Sequence, residues 1–278
     1  MKNNINMSNI EDYLCMFASK NDIFNDIGWV EPIFITMVRA YQNNKNIDIF
    51  TDSGYLKNMI KRDYKQNKTY TPIEKVHNRN GLDKISSHLA EIMSKNFTKL
   101  SSDDTKDLKD YLQYLFIELM NNVADHAHSE VGGYVMAQYY PKNKKIQFAV
   151  ADRGVGFLSN LKLKFSVETE EEAIYKALEK GVTATLQKMY GHEKNAGFGL
   201  YAMFEILKMT GGRFVIISND TLLRYENGSL QSKKLDNHWR GVVVAFEFDE
   251  ANINYDMDHF KRNYLWSEII NDEDEDYF

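Results

Sequence analysis

The stretch KKIQFAVADRGVGF, residues 144–157, begins as a strand and ends in a charged, glycine-rich turn. Three apolar residues alternate along its first half and share one strand face: Ile146, Phe148 and Val150. Asp152 continues that face, where a carboxylate is costly unless a hydrogen-bond donor reaches it. Gly154 and Gly156 follow, and glycine lets another group approach the backbone closely. Taken alone, the segment also fits an ordinary Asp/Gly turn.

A second segment, ELMNNVADHA at residues 118–127, places polar side chains on an otherwise apolar helix. Apolar residues recur along one side in steps of three and four: Leu108, Leu112, Leu115, Leu119 and Val123. Four polar residues share a neighbouring face at i, i+3, i+4 and i+7: Glu118, Asn121, Asn122 and Asp125. Such a row can line a cleft, and a solvated helix face is the alternative interpretation.

A third segment, KNAGFGLYAMFEIL at residues 194–207, joins a glycine-rich turn to a helix. Gly197 and Gly199 precede an apolar helix face formed by Leu200, Met203, Phe204 and Leu207. A glycine-rich turn at a helix N-terminus offers backbone N–H groups and a favourable dipole to an anion. A single Gly-x-Gly before a helix is weakly specific by itself.

Composition and charge narrow the class of protein. The chain has 278 residues, 43% of them hydrophobic and 13% aromatic, so a substantial core is expected. A net charge of -6 argues against bulk nucleic-acid binding, and we expect no nucleic-acid partner. Cys15 is the single cysteine, which excludes an internal disulfide and a cysteine-based zinc site. The polar N-terminus and the lack of about 18 consecutive apolar residues predict a cytoplasmic protein with no membrane segment.

Periodicity along the chain predicts an α+β fold, a mixed sheet with helices packed on one face. Helices are expected from Pro32 onward and at 55–64, 82–97, 103–127, 170–180 and 201–210. Strands are expected at 46–51, 134–140, 145–151, 213–219, 222–226 and 241–248.

The polar run at 65–80, which contains Pro72, is the predicted domain boundary. It would separate a small α/β domain at 1–70 from a larger domain at 71–250. Residues 251–278 are expected to form a C-terminal helix and acidic tail.

Three segments, in this order and spacing, resemble the N, G1 and G2 boxes of the GHKL ATPases: ELMNNVADHA, DRGVGF and NAGFGL. That superfamily includes DNA gyrase, MutL, chaperones of the ninety-kilodalton heat-shock class and the histidine-kinase catalytic domain. WRGVVVAFEF, which contains Gly241, resembles the last strand of that fold. The resemblance covers residues 72–249 and implies a Bergerat-type α/β sandwich that binds ATP and Mg²⁺.

The resemblance implies a role for each site residue. Asn122 would coordinate a Mg²⁺ ion bridging the phosphates, since an amide oxygen suits that hard cation. Glu118 would orient or deprotonate the attacking water or hydroxyl, and Asp152 would accept a hydrogen bond from the exocyclic amine of adenine. The glycines would let the base, ribose and phosphates lie against the backbone. The implied nucleotide-binding residues are Asn122, Asp125, Asp152, Gly154, Gly156, Asn195, Gly197, Gly199, Leu200 and Gly241.

The same resemblance bears on activity. Residues 158–194 would form the ATP lid, in which His192 and Lys194 either contact phosphates or are ordinary exposed residues. Asp125 stands where many histidine kinases carry a basic residue, and the surroundings of His88 lack a phosphoacceptor signature.

The implied function is an ATP-dependent regulatory switch or an anti-sigma-type serine/threonine protein kinase; a slow ATPase is the alternative. A protein partner or substrate is expected without an identity, and a homodimer is left open.

The N-terminal part resembles a STAS domain, the fold of anti-sigma-factor antagonists, over about residues 8–66. Glu31 and Pro32 stand where those antagonists carry a phosphorylatable serine, so that switch would be missing. The unit would then be a fixed regulatory or docking partner, with Thr36 and Ser53 as conceivable phosphorylation targets. An unrelated small α/β unit is the alternative.

Overall fold

The computed structural model of the protein describes residues 2–18, 24–45, 51–60, 69–94, 102–182 and 199–249. The helices are α1 (Cys15–Ala18), α2 (Pro32–Lys45), α3 (Gly54–Ile60), α4 (Leu82–Ser94), α5 (Ser102–His126), α6 (Gly156–Leu161), α7 (Glu170–Ala177) and α8 (Gly199–Thr210). The strands are β1 (Asn3–Ile5), β2 (Ile27–Val30), β3 (Glu74–Val76), β4 (Gly133–Tyr140), β5 (Lys145–Asp152), β6 (Arg213–Glu226) and β7 (Ser229–Asp249). Within these ranges, no helix combines the length and the apolar character needed to cross a membrane.

Five strands form the main sheet in the order β3-β4-β5-β7-β6, and β1 pairs with β2 in a small parallel sheet. The predicted α+β class is confirmed. The predicted mixed sheet is wrong for the described residues, because every neighbouring pair in the main sheet is antiparallel. Alternation identifies a strand and its buried face but carries no information about the direction of the neighbouring strand.

One face of the main sheet packs against α4, α5 and α8. Its apolar side chains come from alternate positions of the central strands: Ile146, Phe148, Val150, Val244 and Phe246. Phe148 stacks on Phe116 of α5 and on Phe246 of β7, with ring centroids 4.5 and 5.1 Å apart. The predicted apolar side of α5 is buried at Leu112, Leu115, Leu119 and Val123. This packing holds α5 across the sheet.

The opposite face is covered by the N-terminal segment, defined as the described residues between 2 and 60. Its helix α2 packs on β4, β5 and β7. The intervening positions of the strands join this second core: Met136, Ala149, Ala151, Val243 and Ala245. The described helices of residues 71–250 lie on one face of the sheet, as predicted for that part of the chain, and the N-terminal segment adds α2 on the other face. Strands such as β5 and β7, apolar on both sides, require cover on both faces.

Polar contacts also tie the N-terminal segment to the sheet. Arg213 of β6 donates to Ser8 Oγ at 2.7 Å, and Arg224 of the same strand donates to Glu11 Oε2 at 2.7 Å. Glu31 is buried, and its Oε1 lies 3.9 Å from Arg213 Nη2. The segment is thus joined to the sheet by buried apolar area and by ion pairs.

The two conceivable phosphorylation targets in this segment are inaccessible in the structure. Thr36 is fully buried, and its hydroxyl donates to the carbonyl of Pro32 at 3.0 Å. Ser53 is buried as well, and its Oγ accepts the backbone N–H of Leu56 at the start of α3. Neither hydroxyl is available to a kinase in this packing.

The described part of the predicted boundary belongs to the sheet. The Thr71 N–H donates to the carbonyl of Ala137 at 2.8 Å, and the Tyr139 N–H donates to that of Thr69 at 2.6 Å. The three-part domain division stays a prediction, although the first two parts share a core. The described residues do not include 61–68, the first five residues of the strand predicted at 46–51, or the tail predicted at 251–278.

The last two strands form a longer hairpin than the sequence predicts. β6 runs unbroken from Arg213 to Glu226, where two strands were expected, and β7 begins at Ser229 instead of near Gly241. Asn227 and Gly228 both have positive φ, the requirement of a tight two-residue hairpin turn. The polar composition of residues 229–238 concealed the first part of β7, where most side chains are exposed although the paired Leu222, Leu223 and Tyr225 of β6 are buried.

Candidate functional site

A cleft that is partly open to solvent lies between α5, the end of β5, α6 and the start of α8. Its polar lining consists of Glu118, Asn121, Asn122, His126, Asp152 and Asn160. Its apolar lining includes Leu119, Val150, Leu161, Ala177, Val182 and Val244. The cleft therefore has one apolar region and a row of polar groups along α5, a combination typical of small-molecule sites.

Asp152 is the buried acid of the cleft, with only 3% of its surface exposed. Its Oδ1 accepts the backbone N–H groups of Gly154 at 2.8 Å and Val242 at 3.3 Å. Among the described residues, no donor reaches its Oδ2. Burial raises the pKa of Asp152 to about 6, against the opposing effect of the two backbone hydrogen bonds. One carboxylate oxygen is thus satisfied by the protein and the other is available to a donor in the cleft.

Gly241 makes this arrangement possible. It has a φ of +108°, a conformation that favours glycine, and its amide N–H donates to Asn219 Oδ1 at 3.3 Å. A Cβ at this position would lie 2.6 Å from the Asp152 carbonyl oxygen and 2.7 Å from its Oδ1. Gly241 was predicted to contact the nucleotide, but it does not line the cleft; in this geometry it leaves room for Asp152.

Helix α5 brings Glu118 and Asn122 to the cleft, one helical turn apart on the same face. Burial raises the pKa of Glu118, while the charge of Arg79 and a hydrogen bond with Asn121 act in the opposite direction. Asn122 lines the cleft, and its side chain makes no hydrogen bond to another described residue. The predicted polar row lines a cleft, at these positions, rather than a solvated helix face.

Asp125 belongs to the same row but does not line the cleft. It accepts two hydrogen bonds from the Arg79 guanidinium, at 2.8 and 2.6 Å. The expectation that Asp125 contacts the nucleotide directly therefore finds no support in this geometry. Its observed role is to hold Arg79 beside Glu118, a contact between residues far apart in the sequence.

The glycines of the DRGVG turn allow other parts of the protein to pack closely against the backbone. A Cβ on Gly154 would lie 1.8 Å from the carbonyl oxygen of Ala127, just beyond the end of α5. Gly156 has a φ of +84° and lines the cleft, and a Cβ there would lie 2.5 Å from Glu170 Oε1. Of the two, only Gly156 reaches the cleft; Gly154 lets α5 approach the turn.

Helix α8 begins at the cleft with Gly199 and Leu200, two of the predicted site residues. A Cβ on Gly199 would lie 2.8 Å from Glu118 Cβ, so the first turn of α8 packs directly beside that acid. The remaining glycine-turn residues, Asn195 and Gly197, lie outside the described residues, as do His192 and Lys194.

Sequence reasoning missed several lining residues. Asn160 of α6 donates to the carbonyls of His126 at 2.8 Å and Gly156 at 3.1 Å, which closes one side of the cleft. Burial lowers the pKa of His126, which favours its neutral form. The helix α6 is short and was not predicted, because six residues carry too little periodicity to identify a helix.

No family model matches the chain, and no curated protein matches it.

Proposed function

We propose that this cleft binds ATP with Mg²⁺ and that the protein is an ATP-dependent regulatory switch or a serine/threonine protein kinase. The observation that carries the proposal is Asp152, a buried carboxylate at the cleft with one oxygen held by backbone N–H groups and the other without a partner among the described residues. A buried acceptor of this kind needs a donor, and the exocyclic amine of adenine is one.

The shape and lining of the cleft support a purine next to Asp152. Val150, Leu161 and Val244 supply apolar surface around the carboxylate, which suits the faces of an aromatic base. Base recognition would then combine apolar contact with a single directional hydrogen bond.

The α5 side of the cleft supports a metal and phosphate site. Asn122 would hold Mg²⁺ through its amide oxygen, together with phosphate oxygens and water. When bound, that cation would neutralise phosphate charge and favour attack on the terminal phosphorus. The start of α8, twelve residues long, lies beside Glu118 and supplies the positive end of a helix dipole.

Glu118 is the proposed general base. Burial raises its pKa toward the range in which a carboxylate accepts a proton effectively. It would take the proton from a protein hydroxyl in a kinase or from water in a slow ATPase. The slow ATPase stays an alternative, because Glu118 in the same position could accept a proton from a protein hydroxyl or from water.

The binding test uses calorimetric titration of Mg-ATP with the wild-type chain and two asparagine variants. Asn122→Ala should weaken affinity by about 100-fold or more, because loss of groups that merely orient metal ligands already costs about 10–100-fold. Asn143→Ala, in the exposed turn between β4 and β5, is the matched control and should bind as wild type. Unchanged affinity in Asn122→Ala would refute the site.

The reaction is tested with γ-labelled ATP, alone and with cell lysate. Glu118→Gln should bind ATP normally and lose turnover by about 100-fold or more, the contribution typical of a general base. Label on protein would identify a kinase, and label in free phosphate an ATPase. Normal turnover in this variant would exclude Glu118 as the base.

A further inference from the structure

Asp152 is supported from behind by a tryptophan on the second face of the sheet. Trp239 is fully buried, and its indole N–H donates to the backbone carbonyl of Asp152 at 2.8 Å. Two positions further along β7, Gly241 leaves room for the aspartate, and the next N–H, of Val242, donates to its carboxylate. Residues 239–242 of β7 thus contact both the backbone and the side chain of Asp152, the residue that we place against the adenine base.

The N-terminal segment holds this tryptophan in place. Phe17 of α1 packs edge-on against Trp239, with ring centroids 5.2 Å apart and an interplanar angle of 87°. Phe17 in turn meets Tyr41 of α2 edge-on at 5.4 Å. All three rings are buried in the second core, so the indole is enclosed by residues from the other end of the chain.

Arg153, the residue after Asp152, contacts the same aromatic cluster. Its guanidinium lies 4.5 Å from the Trp239 ring centroid and 5.6 Å from that of Tyr41. Its buried Nε has no hydrogen-bond partner among the described residues. The contacts with the Trp239 and Tyr41 rings are therefore the main interactions that fix the position of the guanidinium. Since Arg153 directly follows Asp152, the backbone at the aspartate is held by two neighbouring contacts to one aromatic cluster.

We propose that Trp239 is a positioning residue of the nucleotide site and that the N-terminal segment, through Phe17 and Tyr41, helps to determine its selectivity for adenine. This inference rests on the proposed ATP site. A hydrogen bond from the base to Asp152 depends on the direction of the carboxylate, and the Trp239 contact restrains the backbone that carries it. The segment that covers the sheet is then also a support for base recognition.

The test compares Mg-ATP with Mg-ITP, whose base carries an oxo group in place of the amine. Trp239→Phe keeps an aromatic ring and removes the N–H donor. We expect ATP affinity to fall about tenfold and ITP affinity less than twofold, because loss of one directional hydrogen bond is worth about a factor of ten at most. Trp29→Phe, at a partly exposed tryptophan beside Tyr140, is the control and should change neither affinity.

The outcomes separate this inference from the proposed function. A merely structural role would weaken both nucleotides equally, so an unchanged ATP-to-ITP ratio in Trp239→Phe would overturn the positioning role. Phe17→Leu provides a second variant in the N-terminal segment and should shift the ratio in the same direction by about threefold, as expected for a weaker aromatic contact. A wild-type chain that binds neither nucleotide would overturn the ATP site itself.

Discussion

At the residue scale, the charge of Asp152 is the most consequential property of the site. Its carboxylate is removed from water, and among the described residues two backbone N–H groups compensate one of its oxygens while no donor reaches the other. The result is a pKa of about 6, near the upper limit for an acid that must be ionised at neutral pH. Both folding and ligand binding should therefore depend on pH through this group.

The free energy of unfolding should depend on pH because the pKa of Asp152 is raised. Because the folded-state pKa, about 6, exceeds the ordinary value of 3.8, the folded protein binds this proton more tightly than the unfolded chain. The resulting stabilisation is complete below pH 4 and is lost as pH rises through 6. Relative to Asp152→Asn, the wild-type free energy of unfolding should fall by on the order of 3 kcal/mol over that interval.

Urea unfolding of both proteins between pH 4 and 7 measures this difference. Asp110→Asn, on an exposed position of α5, is the control and should run parallel to wild type. A constant difference between wild type and Asp152→Asn across the whole interval would contradict the raised pKa.

At the element scale, the contact between α5 and the turn after β5 builds the cleft. The Val155 N–H donates to the Ala127 carbonyl at 3.0 Å, and Gly154 leaves room for the same carbonyl. The helix that carries Asn122 is thereby fixed against the strand that carries Asp152. The distance between the two proposed nucleotide contacts thus depends on a glycine that does not itself line the cleft.

Gly154→Ala should therefore affect both stability and binding. A methyl group would lie 1.8 Å from Ala127 O, which forces the end of α5 away from the turn. We expect a loss of about 3 kcal/mol in the free energy of unfolding, the upper end for overpacking, and weaker Mg-ATP binding. Thermal melts and titrations measure both effects. Gly54→Ala, where nothing lies within 4 Å of a Cβ, is the control; equal behaviour of the two variants would contradict the close approach.

Most elements were predictable because their periodicity is strong. α2 begins at Pro32 as expected, and α4, α5, β4 and β5 lie within a few residues of their predicted positions where they are described. α7 begins at Glu170, where Thr169 and Glu172 form a capping box. One error occurs where alternation is interrupted, at Asn219, which has positive φ and lies at a register shift within β6.

At the scale of the whole molecule, the N-terminal segment is the cover of one sheet face. Its buried aromatic residues pack with Trp239 and with the small residues of β5 and β7. A separate domain at 1–70 would leave those strands with one apolar face in water. The shared core instead predicts a single cooperative unit.

Removal of residues 1–68 tests this interdependence. We expect the truncated chain to lose cooperative thermal unfolding and to expose apolar surface, because Trp239, Val243 and Ala245 would lose their cover. Calorimetry and binding of a hydrophobic dye measure the two effects, with the full chain as reference. A truncated protein that melts cooperatively and binds Mg-ATP with wild-type affinity would instead support the domain boundary expected from sequence.

By itself, the sequence determined the α+β class, the position of most helices and strands, and the placement of Glu118 and Asn122 on one face of α5. These follow from spacing along one element, which local periodicity specifies. The tertiary structure alone decided that Arg79 binds Asp125 and that Gly154 allows the end of α5 to approach the turn after β5. It also decided that Phe17 of the N-terminal segment packs on Trp239, behind Asp152. Such contacts join residues distant in the chain, and only the packing of whole elements brings them together.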